Sequence, residues 1–313
     1  MIEKSFYILK LLRPRQWIKN FALFAAIVFG GYLFNLLIFS QVMLGFIAFC
    51  LLSSSTYVIN DILDMKKDKL HPFKKTRPIA SGKISVREAI IIFVVTISAA
   101  LFLAKEINSV FFFIACVYIV LQMSYSLVFK GIVIFDILLI ATGYILLVLA
   151  GETISGYHIS VWLLLTTVSL SLFLAVGKRR SELTLLKNYT GVKVEEIRES
   201  LSHYSENLID AFTVMFATST FIFYSFFTFL ENPRGIRISI DVLLPEFLPY
   251  YLQKKWLMIT IVPVIYGLMR YLQDIYEKKE GESPDRVLLS DKQLLSSVII
   301  WAILVIVIIY FIG

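Results

Sequence analysis

Apolar residues along this chain come in long blocks rather than at amphipathic spacing. The blocks fall at about 21–39, 41–60, 89–104, 109–129, 132–151, 159–177, 208–230, 256–273 and 294–312. Their lengths are close to the ~17–25 residues needed to cross a hydrocarbon core. A segment in lipid must pair every backbone N–H and C=O internally, so each block reads as a helix. A membrane β-barrel would show alternating segments of ~10 residues, and these runs are too long and too uniformly apolar for that. The pattern predicts an all-α, polytopic membrane protein of about nine transmembrane helices, forming a single domain over residues 1–313. The first two blocks are parted only at Ser40-Gln41, the fourth and fifth only at Lys130-Gly131.

Composition agrees. With 58% hydrophobic and 17% charged residues, the chain does not resemble an ordinary soluble domain. Its net charge of +7 therefore does not indicate a nucleic-acid binder; basic loops facing an anionic leaflet account for it. With the N-terminus inside, the inward segments hold 25 Lys and Arg and the outward ones 5. This predicts an inner (plasma) membrane protein with a cytoplasmic N-terminus, cytoplasmic loops at 61–88 and 178–207, and the C-terminus outside. Those two loops follow helices four apart, which suggests two similar four-helix units plus a ninth helix. The basic N-terminus precedes a run that is long enough to span and lacks a small-residue cleavage site, so no cleavable signal peptide is expected. Cys50 and Cys116 lie inside apolar runs and read as small core residues. Three prolines mark 231–255 as a surface connection.

The second helix ends in Asn60-Asp61-Ile62-Leu63-Asp64-Met65-Lys66-Lys67-Asp68. At about 100° per residue Asp61, Asp64 and Asp68 share one face. Three like charges there repel unless a cation sits among them. Hard oxygen ligands suit Mg²⁺, which takes one or two carboxylates and fills its shell with phosphate oxygens. The alternative is a solvated helix end, but the motif begins while the helix is still apolar, where carboxylates are costly and usually functional. The loop continues with His71, Lys74, Lys75, Arg77 and Pro78. Arg77 can fork onto a phosphate and Lys74 can add point charge. Either lysine alone is also explained as positive-inside charge. His71 reads as a loop hydrogen-bonder rather than a metal ligand.

A second cluster, Lys178, Arg179 and Glu182, lies at the inner end of helix six, with both basic residues within one turn of Glu182. An ordinary helix-end charge cluster has the same spacing, and parity with the aspartate loop favours function. Tyr125 and Lys130 close helix four, and Lys19 and Asn20 open helix one, so all four are candidate substrate contacts. Trp17 reads as an interfacial anchor. Asp136 and Asp210 lie inside apolar runs and fit either function or the interface.

The Asn60-Asp61-x-x-Asp64-x-x-x-Asp68 stretch, followed by Arg77-Pro78-Ile79-x-Ser81-Gly82, resembles the UbiA superfamily of intramembrane prenyltransferases. The resemblance implies a UbiA-like helical bundle with Mg²⁺ as cofactor. Prenyltransferases proper carry a second aspartate motif, DxxxD, near helix six. This chain has Gly177-Lys178-Arg179-Arg180-Ser181-Glu182-Leu183 there. That stretch, the opening Arg13-Pro14-Arg15-Gln16-Trp17-x-Lys19-Asn20 and His71-Pro72-x-Lys74 look like the decaprenyl-phosphate phosphoribosyltransferase branch. The branch implies transfer from phosphoribosyl pyrophosphate to a polyprenyl phosphate, making a cell-wall precursor and releasing diphosphate. By that resemblance Asp61, Asp64 and Asp68 hold Mg²⁺, and Lys74, Arg77, Lys178 and Arg179 bind the donor's phosphates. Glu182 holds a second Mg²⁺ or ribose hydroxyls, and Lys19, Tyr125 and Lys130 orient the lipid phosphate. One position departs: Leu147 stands where the branch tends to carry an arginine. Prenyl transfer to an aromatic or other small acceptor is the alternative within the superfamily. A transporter is more distant, because its site would sit near the midplane on broken helices.

Overall fold

A computed structural model of the chain describes residues 2–70, 74–187, 203–231, 255–277 and 284–312. In chain order its helices are α1 (Ile2–Leu12), α2 (Ala25–Phe29), α3 (Leu36–Leu63), α4 (Met65–Leu70), α5 (Val86–Ile107) and α6 (Ser109–Leu127). There follow α7 (Phe135–Ser155), α8 (Val161–Lys187), α9 (Glu206–Leu230), α10 (Ile261–Tyr276), α11 (Pro284–Ser290) and α12 (Lys292–Val307). No strand occurs among the described residues, and eight helical segments are long and apolar enough to cross a membrane.

The first apolar block, 21–39, is not one helix. A 3-10 helix, Pro14–Phe24, runs into α2, the chain turns after Phe29, and Leu36 onward belongs to α3. At ~2.0 Å per residue for the 3-10 part and ~1.5 Å for the α part, Pro14–Phe29 still reaches about 30 Å, a bilayer core. The break lies at Asn35 rather than Ser40 because Asn35 Oδ1 accepts from the Leu37 and Ile38 N–H groups, 3.1 and 3.3 Å. These are orphan donors of a helix start, and asparagine is a strong cap for them. Ser40 instead bonds back to the Leu37 carbonyl inside the helix. Gly151 makes the stretched segment possible: a Cβ there would lie 2.0 Å from the Leu23 carbonyl oxygen, so only glycine lets this backbone rest on α7.

Helix α3 packs along α5, α8 along α9, and α7 joins α6 to α8. Phe49, Leu52, Phe111, Tyr118 and Leu147 bind α3, α6 and α7 to Leu23 of the stretched segment. Phe173, Tyr271, Ile275 and Leu294 join α8, α10 and α12. The two four-helix groups expected from loop parity are thus α3, α5, α6, α7 and α8, α9, α10, α12, meeting where α7 contacts α8. The extra segment is the first. Ile90, Ile91, Val94, Val95 and Phe102 of α5 point outward, an apolar face suited to lipid.

Charge collects at one end of the bundle. Helix α3, at 28 residues, spans about 42 Å, some two turns more than a hydrocarbon core. Its surplus turns carry Asp61. Helix α8 is similarly long: Lys178–Glu182 are helical at its inner end, as their spacing predicts, and the helix runs on to Lys187, into the stretch expected as the loop 178–207. Of the two long loops, residues 71–73 and 188–202 lie outside the described residues, as does most of 231–255.

Candidate active site

The aspartates sit where α3 passes into α4. Asp64 lies between the two helices, yet the Asp64 and Asp68 N–H groups still reach back four residues, at 2.9 and 2.8 Å. The three carboxylates therefore keep their helical register. Asp61 is only 2% exposed. Its Oδ1 accepts from Arg13 Nη2 at 2.5 Å and from Arg77 Nη1 at 3.0 Å. Arg77 Nη1 also donates to Asp68 Oδ2 at 2.7 Å, and Lys130 donates to Asp64.

Arg77 is delivered by a folded loop. Ser81 N–H bonds the Arg77 carbonyl and Ile84 N–H the Pro78 carbonyl, at 2.9 and 3.0 Å. Ile79 is buried with Leu11, Val58, Ile84 and Ala89, which plugs the loop onto α3 and α5. Gly82 leaves it at φ +76, a backbone that a side chain would strain. The Arg-Pro-Ile-x-Ser-Gly run is thus a device for returning a guanidinium to the aspartates.

Lys74 feels the charges of Glu182, Arg77, Lys130 and Asp68, so it links the two clusters. Burial, with Arg77 and Lys130 beside it, holds its ammonium below the ordinary lysine value despite Glu182. Burial likewise pushes the Asp68 carboxyl up, against the pull of Arg77. In the second cluster Arg179 is fully buried. Its Nη1 donates to Glu182 Oε2 at 2.6 Å and lies 3.7 Å from Asp136 Oδ2. Its Nε and Nη2 have no hydrogen-bond partner among the described residues.

The remaining expected residues are spread. Lys19 Nζ lies 3.3 Å from the Tyr118 hydroxyl and 3.4 Å from that of Tyr57, between the stretched segment, α3 and α6. Tyr125 is buried on the last turns of α6 and Lys178 half-buried on α8. Asn20 faces away, fully buried, with its amide on Cys50 Sγ at 3.3 Å and Ser53 Oγ at 3.4 Å; it joins the stretched segment to α3. Trp17 donates to Ser54 Oγ at 3.0 Å, and His71 lies outside the described residues. Asp210 is held by Arg180 and Tyr276, at 2.9 and 2.7 Å, and belongs to the α8–α9–α10 contact.

The profile of the UbiA prenyltransferase family matches residues 20–179. The chain belongs to the UbiA prenyltransferase family. It is an integral membrane protein, as its eight apolar helices and this family require. It is 32% identical over 310 residues to a protein of Corynebacterium glutamicum named decaprenyl-phosphate phosphoribosyltransferase, covering 96% of this chain and 86% of that one. A protein of the same name from Mycolicibacterium smegmatis is 30% identical over 298 residues, 94% of this chain and 89% of that one. Among solved structures, a UbiA homolog from Archaeoglobus fulgidus bound to GPP and Mg²⁺ superposes with a TM-score of 0.67 at 22% identity, over 96% of this chain and 99% of that one. It shares the fold.

The residues of this UbiA chain fit a magnesium ion. Among the described residues no three acidic, histidine or cysteine groups are gathered closely enough to cage a metal. Mg²⁺ bound beside a diphosphate needs only one or two carboxylates. Asp61, Asp64 and Asp68 would offer them, and Asn60 Oδ1 is a buried oxygen without a hydrogen-bond partner among the described residues. Arg13, Arg77 and Lys130 meanwhile balance the carboxylates.

Two members of the network had not been singled out from sequence: Arg13 and Tyr57. Arg13 lies at left-handed φ 52 immediately before Pro14, which turns it back onto α3. Tyr57 stands four residues before Asp61 and so shares its face. Its ring lies under Arg13, 4.8 Å away, and its hydroxyl donates to Gln16 at 2.7 Å. The spacing from Asp61 was the signal available for Tyr57.

Proposed function

We propose that the protein transfers a 5-phosphoribosyl group from phosphoribosyl pyrophosphate to a polyprenyl (decaprenyl-type) phosphate, with Mg²⁺ and with release of diphosphate. The observation that carries this reading is the buried guanidinium of Arg179, with two nitrogens uncommitted among the described residues, in the cluster that Lys74 links to the aspartates. A prenyl diphosphate is anionic at one end. Phosphoribosyl pyrophosphate is anionic at both, and needs cations at both. The names of the two bacterial relatives support the same reading.

In this reading Asp61, Asp64 and Asp68 would hold the metal, which would supply positive charge to the leaving diphosphate. Arg77 and Lys74 bind diphosphate oxygens, while Arg179 and Lys178 take the 5-phosphate. Glu182 fixes Arg179 from the protein side and faces the ribose hydroxyls. A lipid phosphate oxygen attacks the anomeric carbon as the carbon–oxygen bond to diphosphate breaks. That phosphate is already anionic, so orientation by Lys130, Tyr125 and Lys19 suffices and no strong base is required. The site end of the bundle faces the cytoplasm, in keeping with the charge asymmetry of the loops.

A second reading, prenyl transfer to a small acceptor, draws on the fold shared with a GPP-bound homolog. One experiment separates them. Purified protein is incubated with Mg²⁺ and either phosphoribosyl pyrophosphate plus polyprenyl phosphate, or a prenyl diphosphate plus aromatic acids. Mass spectrometry is expected to find phosphoribosyl-phosphoryl-polyprenol in the first mixture. Product in the second mixture alone would overturn the proposal.

A further inference from the structure

Both contacts of Arg179 use a single atom, Nη1. Glu182 Oε2 accepts its hydrogen bond at 2.6 Å, and its ion pair at 3.7 Å is built from two residues outside the substrate-binding set. Asp136 stands in the first turn of α7, fully buried, where a carboxylate also gains from the helix N-terminus. Its Oδ2 faces Arg179 and its Oδ1 accepts from the Tyr204 hydroxyl at 2.8 Å. The same hydroxyl accepts from the Ile134 N–H at 2.6 Å.

Ile134 has φ +71, a conformation that a β-branched residue rarely adopts. Such a backbone persists only where its surroundings over-determine it. Here the Tyr204 hydroxyl takes up the Ile134 N–H and also steadies the carboxylate two residues on. Burial pushes the Tyr204 phenol up, against the pull of the Ile134 N–H, and the Asp136 charge adds to the rise. The hydroxyl therefore keeps its proton and keeps donating. The result is a chain of contacts from Ile134 through Tyr204 and Asp136 to one corner of Arg179. The opposite edge of the guanidinium, Nε and Nη2, has no hydrogen-bond partner among the described residues. Two parallel N–H groups on one edge match two oxygens of a phosphate.

We propose that Asp136 and Tyr204 are positioning residues of the transfer reaction, holding Arg179 by Nη1 so that its Nε–Nη2 edge meets an anionic oxygen pair of the donor. The donor's identity rests on the phosphoribosyl-transfer reading above; the clamp rests on the contacts themselves. Loosening the clamp lets the guanidinium rotate and bond within the protein, which weakens the donor and leaves the lipid phosphate alone.

The test uses the full-length protein in detergent with Tyr204→Phe, Arg179→Lys and the double variant, measuring KM for donor and acceptor, kcat and thermal stability. Tyr204→Phe is expected to raise the donor KM about tenfold, the loss of roughly one charge-assisted hydrogen bond. The acceptor KM should stay within about twofold, because the clamp does not touch that subsite. Lysine has no fork to orient, so Tyr204→Phe should add little in the Arg179→Lys background. Equal penalties in both backgrounds, or lost thermal stability with an unchanged donor KM, would overturn the clamp. Should Tyr204→Phe fail to fold, Asp136→Asn enters the same cycle with the same two outcomes. If the wild type uses a prenyl diphosphate and not phosphoribosyl pyrophosphate, the substrate reading fails, while the cycle run with that donor still decides the clamp.

Discussion

Lys130, on the short turn after α6, donates a hydrogen bond to Asp64 at the end of α3, 66 residues earlier in the chain. Arg13 and Arg77 do the same for Asp61, and Arg77 again for Asp68. Each aspartate of the motif is thus met by a cation from another part of the chain. Like charges on one helix face would otherwise repel. The contacts keep the carboxylates poised in a low-dielectric setting, where removing a partner from a buried pair is costly. In the proposed reaction these same aspartates and cations would face a metal and a diphosphate, so neither sign would be left uncovered.

The arrangement separates two effects of mutating the motif. Asp61→Asn should abolish turnover and also destabilise the protein, because Arg13 and Arg77 both converge on Asp61 Oδ1. Breaking such buried pairs costs on the order of 3 kcal/mol. Asp64 is more exposed and has one cation partner among the described residues, so Asp64→Asn should abolish turnover with a smaller loss of thermal stability. Chelation of Mg²⁺ should stop turnover in the wild type, and its return should restore it. An Asp64→Asn protein that folds and turns over near the wild-type rate would remove the metal assignment.

Much of this site was legible because helical spacing and chain order are enough to put carboxylates on one face and loops on one side. The Asp61–Asp64–Asp68 face and the Arg179–Glu182 pair follow from i, i+3 and i, i+4 geometry alone. The broken first segment was not legible. Its apolar run is continuous, and the break depends on Asn35 capping and on the Gly151 contact with Leu23, a tertiary fact. Asn20 looked like a site residue through its neighbour Lys19, yet the stretched helix turns it toward Cys50 and Ser53. Leu147, where the resemblance implied an arginine, has an apolar home among Leu23, Phe49 and Tyr118. Tyr204 was invisible because nothing local links it to Asp136, 68 residues away.

The site end of the bundle should face the cytoplasm. Ser81 is exposed beside the Arg77 loop, and His158 is exposed at the opposite end, after α7. In a background with Cys50 and Cys116 replaced, a cysteine introduced by His158→Cys should react with an impermeant maleimide on intact cells. One introduced by Ser81→Cys should react only after permeabilisation. The reverse pattern would invert the topology and rule out a cytoplasmic donor.

Lys74 should impose an alkaline limit on donor capture. Burial, and the cations Arg77 and Lys130, hold its ammonium below the ordinary value of 10.5, although Glu182 opposes them. The sign follows directly. As pH rises through this lowered value Lys74 loses its charge, and an anionic donor binds less well. Phosphate groups with a second pKa of about 6 are already ionised there, so the donor's own charge is not changing on this limb. A bound donor adds negative charge beside Lys74 and raises its value again. The limb should therefore appear in kcat/KM for the donor, which reports the free enzyme, at a lower pH than in kcat, which reports the complex. Lys74→Arg keeps the charge to above pH ~12 and should move the kcat/KM limb upward. Lys74→Met should flatten it, with a donor KM raised about tenfold or more at neutral pH, the loss of one charged contact. If the limb stays in place in both variants, another group sets it, and Lys74 is only one of the positive charges of the loop.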